Sequence, residues 1–135
     1  MNNLAYRDQL KQLENVLLGL PQVELETQHY YAEGTYTRVL HLPKDTILTG
    51  KIHRFSCINI LAKGKIKVVT DESDYNIEAP YIFVSGPLVK KAGYVIEDAV
   101  WINVHPWDGK MNLEQIENTV IVSEQLEYRE PICLG

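Results

Sequence analysis

Apolar residues near the N-terminus recur at helical spacing, and from Val23 onward they fall into short alternating runs broken by glycine and proline. Tyr6, Leu10, Leu13 and Leu17 share one helical face, Asn2 or Asn3 can cap the helix, and Gly19 with Pro21 stops it. A helix with one apolar stripe needs a sheet or a neighbouring subunit to lie against. Strands are predicted over 23–28, 36–42, 46–49, 51–61, 65–70, 75–79, 81–85, 91–94 and 99–105. Between them stand the turn signals Ala32-Glu33-Gly34, Leu42-Pro43-Lys44-Asp45, Asp71-Glu72-Ser73-Asp74 and Ser85-Gly86-Pro87. Asn112-Leu-Glu-Gln115 reads as a capping box opening a second, short helix.

Many short strands between glycine and proline turns predict a mainly β chain folded as a sandwich or barrel. The expected layout is an N-terminal amphipathic helix over 1–21, a β-barrel over 22–107, and a C-terminal helix and tail over 108–135, forming one domain. The tail from Ser123 is polar.

The predicted strand over 51–61 carries the most chemistry. Read as alternating, it sets Ile52, Ile58, Ile60 and Ala62 on one face and Lys51, His53, Phe55, Cys57, Asn59 and Leu61 on the other. The first face reads as a packing surface. The second mixes a cation, an imidazole, a thiol and an amide, which is how a pocket wall is built and not a dry core.

Composition narrows the partners. The chain has 135 residues, 45% of them apolar and 23% charged, with a formal net charge of -5. That balance disfavours a nucleic-acid binder, yet leaves room for a local basic pocket that takes a small anion. No apolar run reaches the roughly 20 residues that span a bilayer, and the N-terminus lacks a signal-peptide pattern. Cys57 and Cys133 read as two unpaired thiols of a reducing compartment, so a cytoplasmic protein with no membrane partner is expected.

The segment Leu48-Thr-Gly-Lys-Ile-His-Arg-Phe-Ser-Cys-Ile-Asn-Ile-Leu-Ala-Lys-Gly64 resembles the first motif of the cupin superfamily. That motif carries His-x-His, a glutamate a few residues on, and then a glycine. Counted back from Gly64, Cys57 stands at the glutamate, His53 at the second histidine and Lys51 at the first. In the second motif a proline-x-glycine turn leads to another histidine, whereas here Val84-Ser85-Gly86 leads to Val89 and Lys90. The resemblance implies a cupin double-stranded β-helix, a jelly-roll barrel, flanked by the two helices. With three of the four usual ligands replaced, it implies no metal and no cofactor.

A closer resemblance rests on Leu20-Pro-Gln-Val, His29-Tyr-Tyr-Ala, Leu48-Thr-Gly-Lys-Ile-His53, Ala79-Pro-Tyr-Ile-Phe-Val-Ser85 and the run from Lys90 to His105. These segments are similar to those of small cupin-like proteins of tailed phages and prophages. That resemblance implies a homo-oligomer in the host cytoplasm or the virion. Its members could serve as virion or assembly components, or could sequester a nucleotide made by bacterial immune systems.

Candidate ligand-binding residues follow, each with a plainer role beside it. His29, Tyr36 and Arg38 belong to a polar-aromatic cluster that could stack a base or sugar and hold an anion, or could form a tyrosine-rich interface. Lys51, His53 and Asn59 lie on the chemical face of the predicted strand; His53 could equally be a satisfied barrel histidine. Lys90 and Lys91 sit where the second motif meets the cavity, or form a solvated pair. Tyr94, Trp101 and His105 mark the closing strands, where tryptophan is more often core than platform. Cys57 without a third partner reads as a buried small side chain. Glu97 and Asp98 are neighbours on a strand, so at most one can face the cavity. Binding of a small, nucleotide-like anion is the favoured reading, with a structural phage protein and a degenerate cupin isomerase or dioxygenase as alternatives.

Overall fold

The computed structural model describes residues 3–70 and 73–121. The Asn2 cap, Asp71 and Glu72 of the polar turn, and the tail from Ser123 with Cys133 lie outside them. The elements are α1 (Asn3–Leu18), β1 (Glu26–Ala32), β2 (Thr35–Leu42), β3 (Ile47–Thr49), β4 (Cys57–Thr70), β5 (Asp74–Glu78), β6 (Tyr81–Ser85), β7 (Lys91–Pro106) and α2 (Leu113–Val120).

All pairing is antiparallel, and β4 and β7 form the spine. Their halves belong to two different layers. Cys57–Leu61 of β4 and 99–106 of β7 join β1, β2 and β6, whereas 65–70 and 91–95 join β3 and β5. The bend falls between Leu61 and Ile66, where the β4–β7 register shifts repeatedly. Gly64 makes that bend possible. It has φ +89, and a Cβ there would collide with the Asp98 carbonyl oxygen and lie 2.8 Å from Ala99 Cα. Strands predicted separately as 51–61 with 65–70, and as 91–94 with 99–105, are therefore two long bent strands. Periodicity alone reads a bulge as a break.

The apolar core fills one end of the sandwich: Leu40, Leu42, Leu61, Ile66, Val68, Ile77, Val95 and Ala99. The other end is covered by α2, whose Ile116 and Val120 pack on Tyr36. The capping box forms as expected: Asn112 Oδ1 accepts from the Gln115 amide and Gln115 Oε1 from the Asn112 amide, both at 2.9 Å. No helix among the described residues is long and apolar enough to cross a membrane.

Two expectations are corrected. Residues 51–56 are not a strand: Ile52 and His53 are both buried, which breaks the alternation, and His53 makes only an isolated bridge to Ile121. The segment is held by contacts on both sides, with the Arg54 amide donating to Val120 O and Leu88 N to His53 O. Nor are Ile58 and Ile60 a packing face. Ile58 is 43% exposed, and its neighbours Ile82 and Val84 on β6 are each 67% exposed. It is the opposite face, Cys57, Asn59 and Leu61, that is buried.

Candidate functional site

Strand register decides which side chains meet inside the barrel. In an antiparallel ladder, opposed residues share a face. The pairs His29↔Arg38, Arg38↔Asn103, Asn103↔Asn59 and Asn59↔Phe83 make one row across five strands. The next row toward α2 contains Tyr31, Tyr36, His105 and Ser85, with Cys57 opposite Ser85. The row toward the core contains Leu40, Trp101 and Leu61. Polar rows thus abut an apolar one, and the barrel is wet at one end and dry at the other.

Asn59, completely buried, is the hub. Its Nδ2 donates to Ser85 Oγ (3.0 Å) and to the Cys57 carbonyl (3.1 Å). Its Oδ1 accepts from Asn103 Nδ2 (2.7 Å) and from Lys91 Nζ (3.2 Å), which also reaches Ser85 Oγ at 3.3 Å. Trp101 Nε1 donates to Asn103 Oδ1 at 3.1 Å. Lys91 and Asn103 are the polar members of a cavity of about 40 Å³, otherwise walled by Leu40, Leu42, Leu48, Ile66, Val68 and Trp101 among others.

The electrostatics of this region are one-sided. No carboxylate among the described residues pairs with Lys91 or Arg38. Arg38 Nε is buried with no acceptor. Burial pulls the Lys91 ammonium down from 10.5 to about 8. His105 is lowered from 6.5 to about 4, first by burial and then by the charges of Arg38 and Lys91. Burial raises the Cys57 thiol, which removes the thiolate that a nucleophile would need. Tyr36 is pushed up to about 12 by burial, and its Oη meets His29 Nδ1 at 2.6 Å.

The sequence candidates sort themselves accordingly. Arg38, Asn59, Lys91, Trp101 and His105 converge, with Tyr36 and His53 beside them under α2; His53 and His105 meet edge to face at 5.2 Å. His29 stays on the exposed rim. Three candidates are drawn elsewhere. Lys90 is buried in an ion pair with Glu14 of α1 (2.8 Å), Lys51 faces Glu117 of α2 (3.9 Å), and the exposed Tyr94 donates to Asp45 (2.7 Å). Glu97 and Asp98 are both exposed, so neither enters the barrel. Asn103 and Ser85 were missed, although alternation in Trp101-Ile-Asn103-Val-His105 places that asparagine on the chemical face.

No family model and no curated protein matches the sequence. Solved structures do match. KdgF from a Halomonas species superposes with a TM-score of 0.54 at 12% identity, over 67% of this chain and 91% of its own. A cupin superfamily protein from Desulfitobacterium hafniense gives 0.55 at 6% identity, over 68% and 88%. An RmlC-like cupin from Shewanella frigidimarina gives 0.52 at 17%, over 63% and 84%. The chain has the cupin fold.

A metal does not suit this cupin barrel. Its polar half offers amides, an ammonium, a guanidinium, two imidazoles and a thiol, but no three His, Cys, Asp or Glu side chains among the described residues converge to hold an ion. Cationic Lys91 and Arg38 would repel a divalent ion.

The neutral, buried state of His105 has a pH signature. Unfolded His105 titrates near 6.5 and folded His105 near 4, so its contribution to stability is whole above pH 6.5. It is lost as the pH falls from 6.5 to 4, amounting to about 3 kcal/mol. Urea midpoints at pH 6.5, 5 and 4 should fall in the native protein and flatten in His105→Gln. An equal fall in both proteins would assign the acid lability to other groups.

Proposed function

We propose that the protein is a cupin-fold binder of a small oxyanion, a carboxylate in the first instance, held where the polar and apolar halves of its barrel meet. One observation carries this reading. Lys91 and Arg38 are half-buried, and no carboxylate among the described residues pairs with either, in a protein whose net charge is -5. Burying a cation without a partner costs several kcal/mol unless an anion joins it. Asn59 and Ser85 hold the ammonium in place without neutralising it, and Asn103 donates to the same Asn59 oxygen.

Cavity size favours a small acid. About 40 Å³ takes roughly three waters, the bulk of a two- or three-carbon acid. A nucleotide would have to leave its base outside, over the exposed His29 and Tyr31 at the rim beside Arg38. A phage protein that sequesters an immune nucleotide is the version of the reading that needs that placement.

The exposed Ile58, Ile82 and Val84 face supports self-association, and hence the structural reading as a second possibility. Native mass spectrometry of the purified protein reads both properties at once. The panel is acetate, propionate, lactate and nucleotide second messengers. Short acids should bind, and Arg38→Gln and Lys91→Met should each weaken them about 10- to 100-fold, the value of one charge-assisted contact. A bare oligomer that ignores the whole panel would leave the structural role.

A further inference from the structure

Resting on the oxyanion reading, we infer that the ligand is a small 2-oxo acid, and that the Lys91 amine condenses with its keto carbon to form a Schiff base. Three features of the site point to carbonyl chemistry beyond simple anion binding. Lys91 lines an otherwise apolar cavity, with Asn103 as the other polar side chain there. Its hydrogen bonds go to neutral acceptors, Asn59 Oδ1 and Ser85 Oγ, so no carboxylate holds it as an ammonium. A second cation, Arg38, lies in the same cross-strand row as Asn103 and Asn59 and has a buried Nε with no acceptor.

A lone carboxylate would have to share its one group between these cations. A carboxylate with an adjacent keto group uses both: the guanidinium takes the acid and the amine meets the carbonyl. The depressed titration of Lys91 supports this, because about a tenth of the amine is then neutral and nucleophilic at pH 7. An arginine in its place would keep the positive charge but could not condense.

The step balances without an oxidant or reductant. The amine lone pair forms a C–N bond at the keto carbon as the C=O bond opens. The oxygen takes one proton from the amine and one from solvent and leaves as water. The C=N bond closes, and the iminium nitrogen keeps one hydrogen and the positive charge. Desolvation by Leu40, Leu48, Val68 and Trp101 protects that linkage from hydrolysis.

The test is reductive trapping. The full chain is incubated with pyruvate or glyoxylate and a hydride donor such as cyanoborohydride, then digested and mapped by mass spectrometry. The expected result is one adduct per subunit on Lys91, forming faster as the pH rises from 7 to 8. It should be absent in Lys91→Arg and unchanged in Lys44→Arg, where the lysine replaced is exposed. Binding of lactate and pyruvate with no trapped adduct would overturn the Schiff base and leave the oxyanion reading standing. Failure of every acid to bind, with no adduct, would overturn both. An adduct spread over exposed lysines such as Lys44, with Lys91 unmodified, would also overturn the inference. Circular dichroism of Lys91→Arg confirms that the variant folds, so that a missing adduct reports the lost amine.

Discussion

Replacing Glu14 with alanine will destabilise the protein by about 3–5 kcal/mol, the usual cost of stripping one partner from a buried ion pair. Glu14 and Lys90 are each almost completely buried. Lys90 Nζ lies 2.8 Å from Glu14 Oε2 and 2.7 Å from the Gly50 carbonyl, and Thr49 Oγ1 donates to the same carboxylate oxygen at 3.2 Å. This pair fastens α1, whose Leu10 and Leu17 are also buried, to the loops at 49–50 and 90. Without the carboxylate, an ammonium stays in a place that water cannot reach. Urea denaturation of Glu14→Ala checks the size of the effect. The double variant Glu14→Leu, Lys90→Met should recover most of the loss, because a buried pair replaced by apolar groups is often neutral or better. A loss below about 1 kcal/mol in the single variant would mean that apolar contacts alone dock the helix.

Lys91→Met will have the opposite sign and will raise stability by up to about 3 kcal/mol at pH 7. The reason is the shift of the ammonium from 10.5 to about 8, worth about 1.4 kcal/mol per unit. The lost hydrogen bonds take back part of that gain, but they leave no orphan. Asn59 Oδ1 keeps Asn103 Nδ2, and Ser85 Oγ keeps Asn59 Nδ2. The sign follows from linkage. Between pH 8 and 10.5 the unfolded chain binds more protons at Lys91, so the native protein gains stability as the pH rises through that window. The advantage of Lys91→Met is therefore full below pH 8 and gone near 10.5. Urea unfolding at pH 7 and pH 10 measures it. A variant less stable than the native protein at pH 7 would show that the lysine helps to hold the barrel. A gain in stability with loss of acid binding is the signature expected of a site kept for function.

The two lysines side by side, Lys90 and Lys91, show how little sequence says about such residues. Both were candidates for ligand contact. Alternation sends them to opposite faces, and only the fold decides what each face meets. Lys90 meets Glu14, seventy-six residues away, and is neutralised. Lys91 meets two neutral acceptors and stays an open cation. Nothing in the pattern of α1 marked Glu14 as buried, because a carboxylate beside Leu10, Leu13 and Leu17 reads as the edge of the stripe.

Element identity was legible from local rules. The stop at Gly19, the Asn112–Gln115 capping box, the strand Tyr81–Ser85 and a sandwich or barrel of short strands all follow from propensity, turn chemistry and period, and the resemblance of 48–64 to a cupin motif adds the jelly roll. These depend on residues close in sequence. Sequence also marked Cys57, Asn59 and Leu61 as one face, and that face is the interior. What tertiary structure alone decided was where each row ends and what stands across from it. The bend at Gly64 carries β4 and β7 between layers, which brings Lys91 over to Asn59, thirty-two residues from it in the chain. It also turns Glu97 and Asp98 out to solvent, and no carboxylate among the described residues pairs with the barrel's Arg38 and Lys91. Charge balance inside a barrel is a property of register and burial. A linear pattern contains neither until the strands have paired.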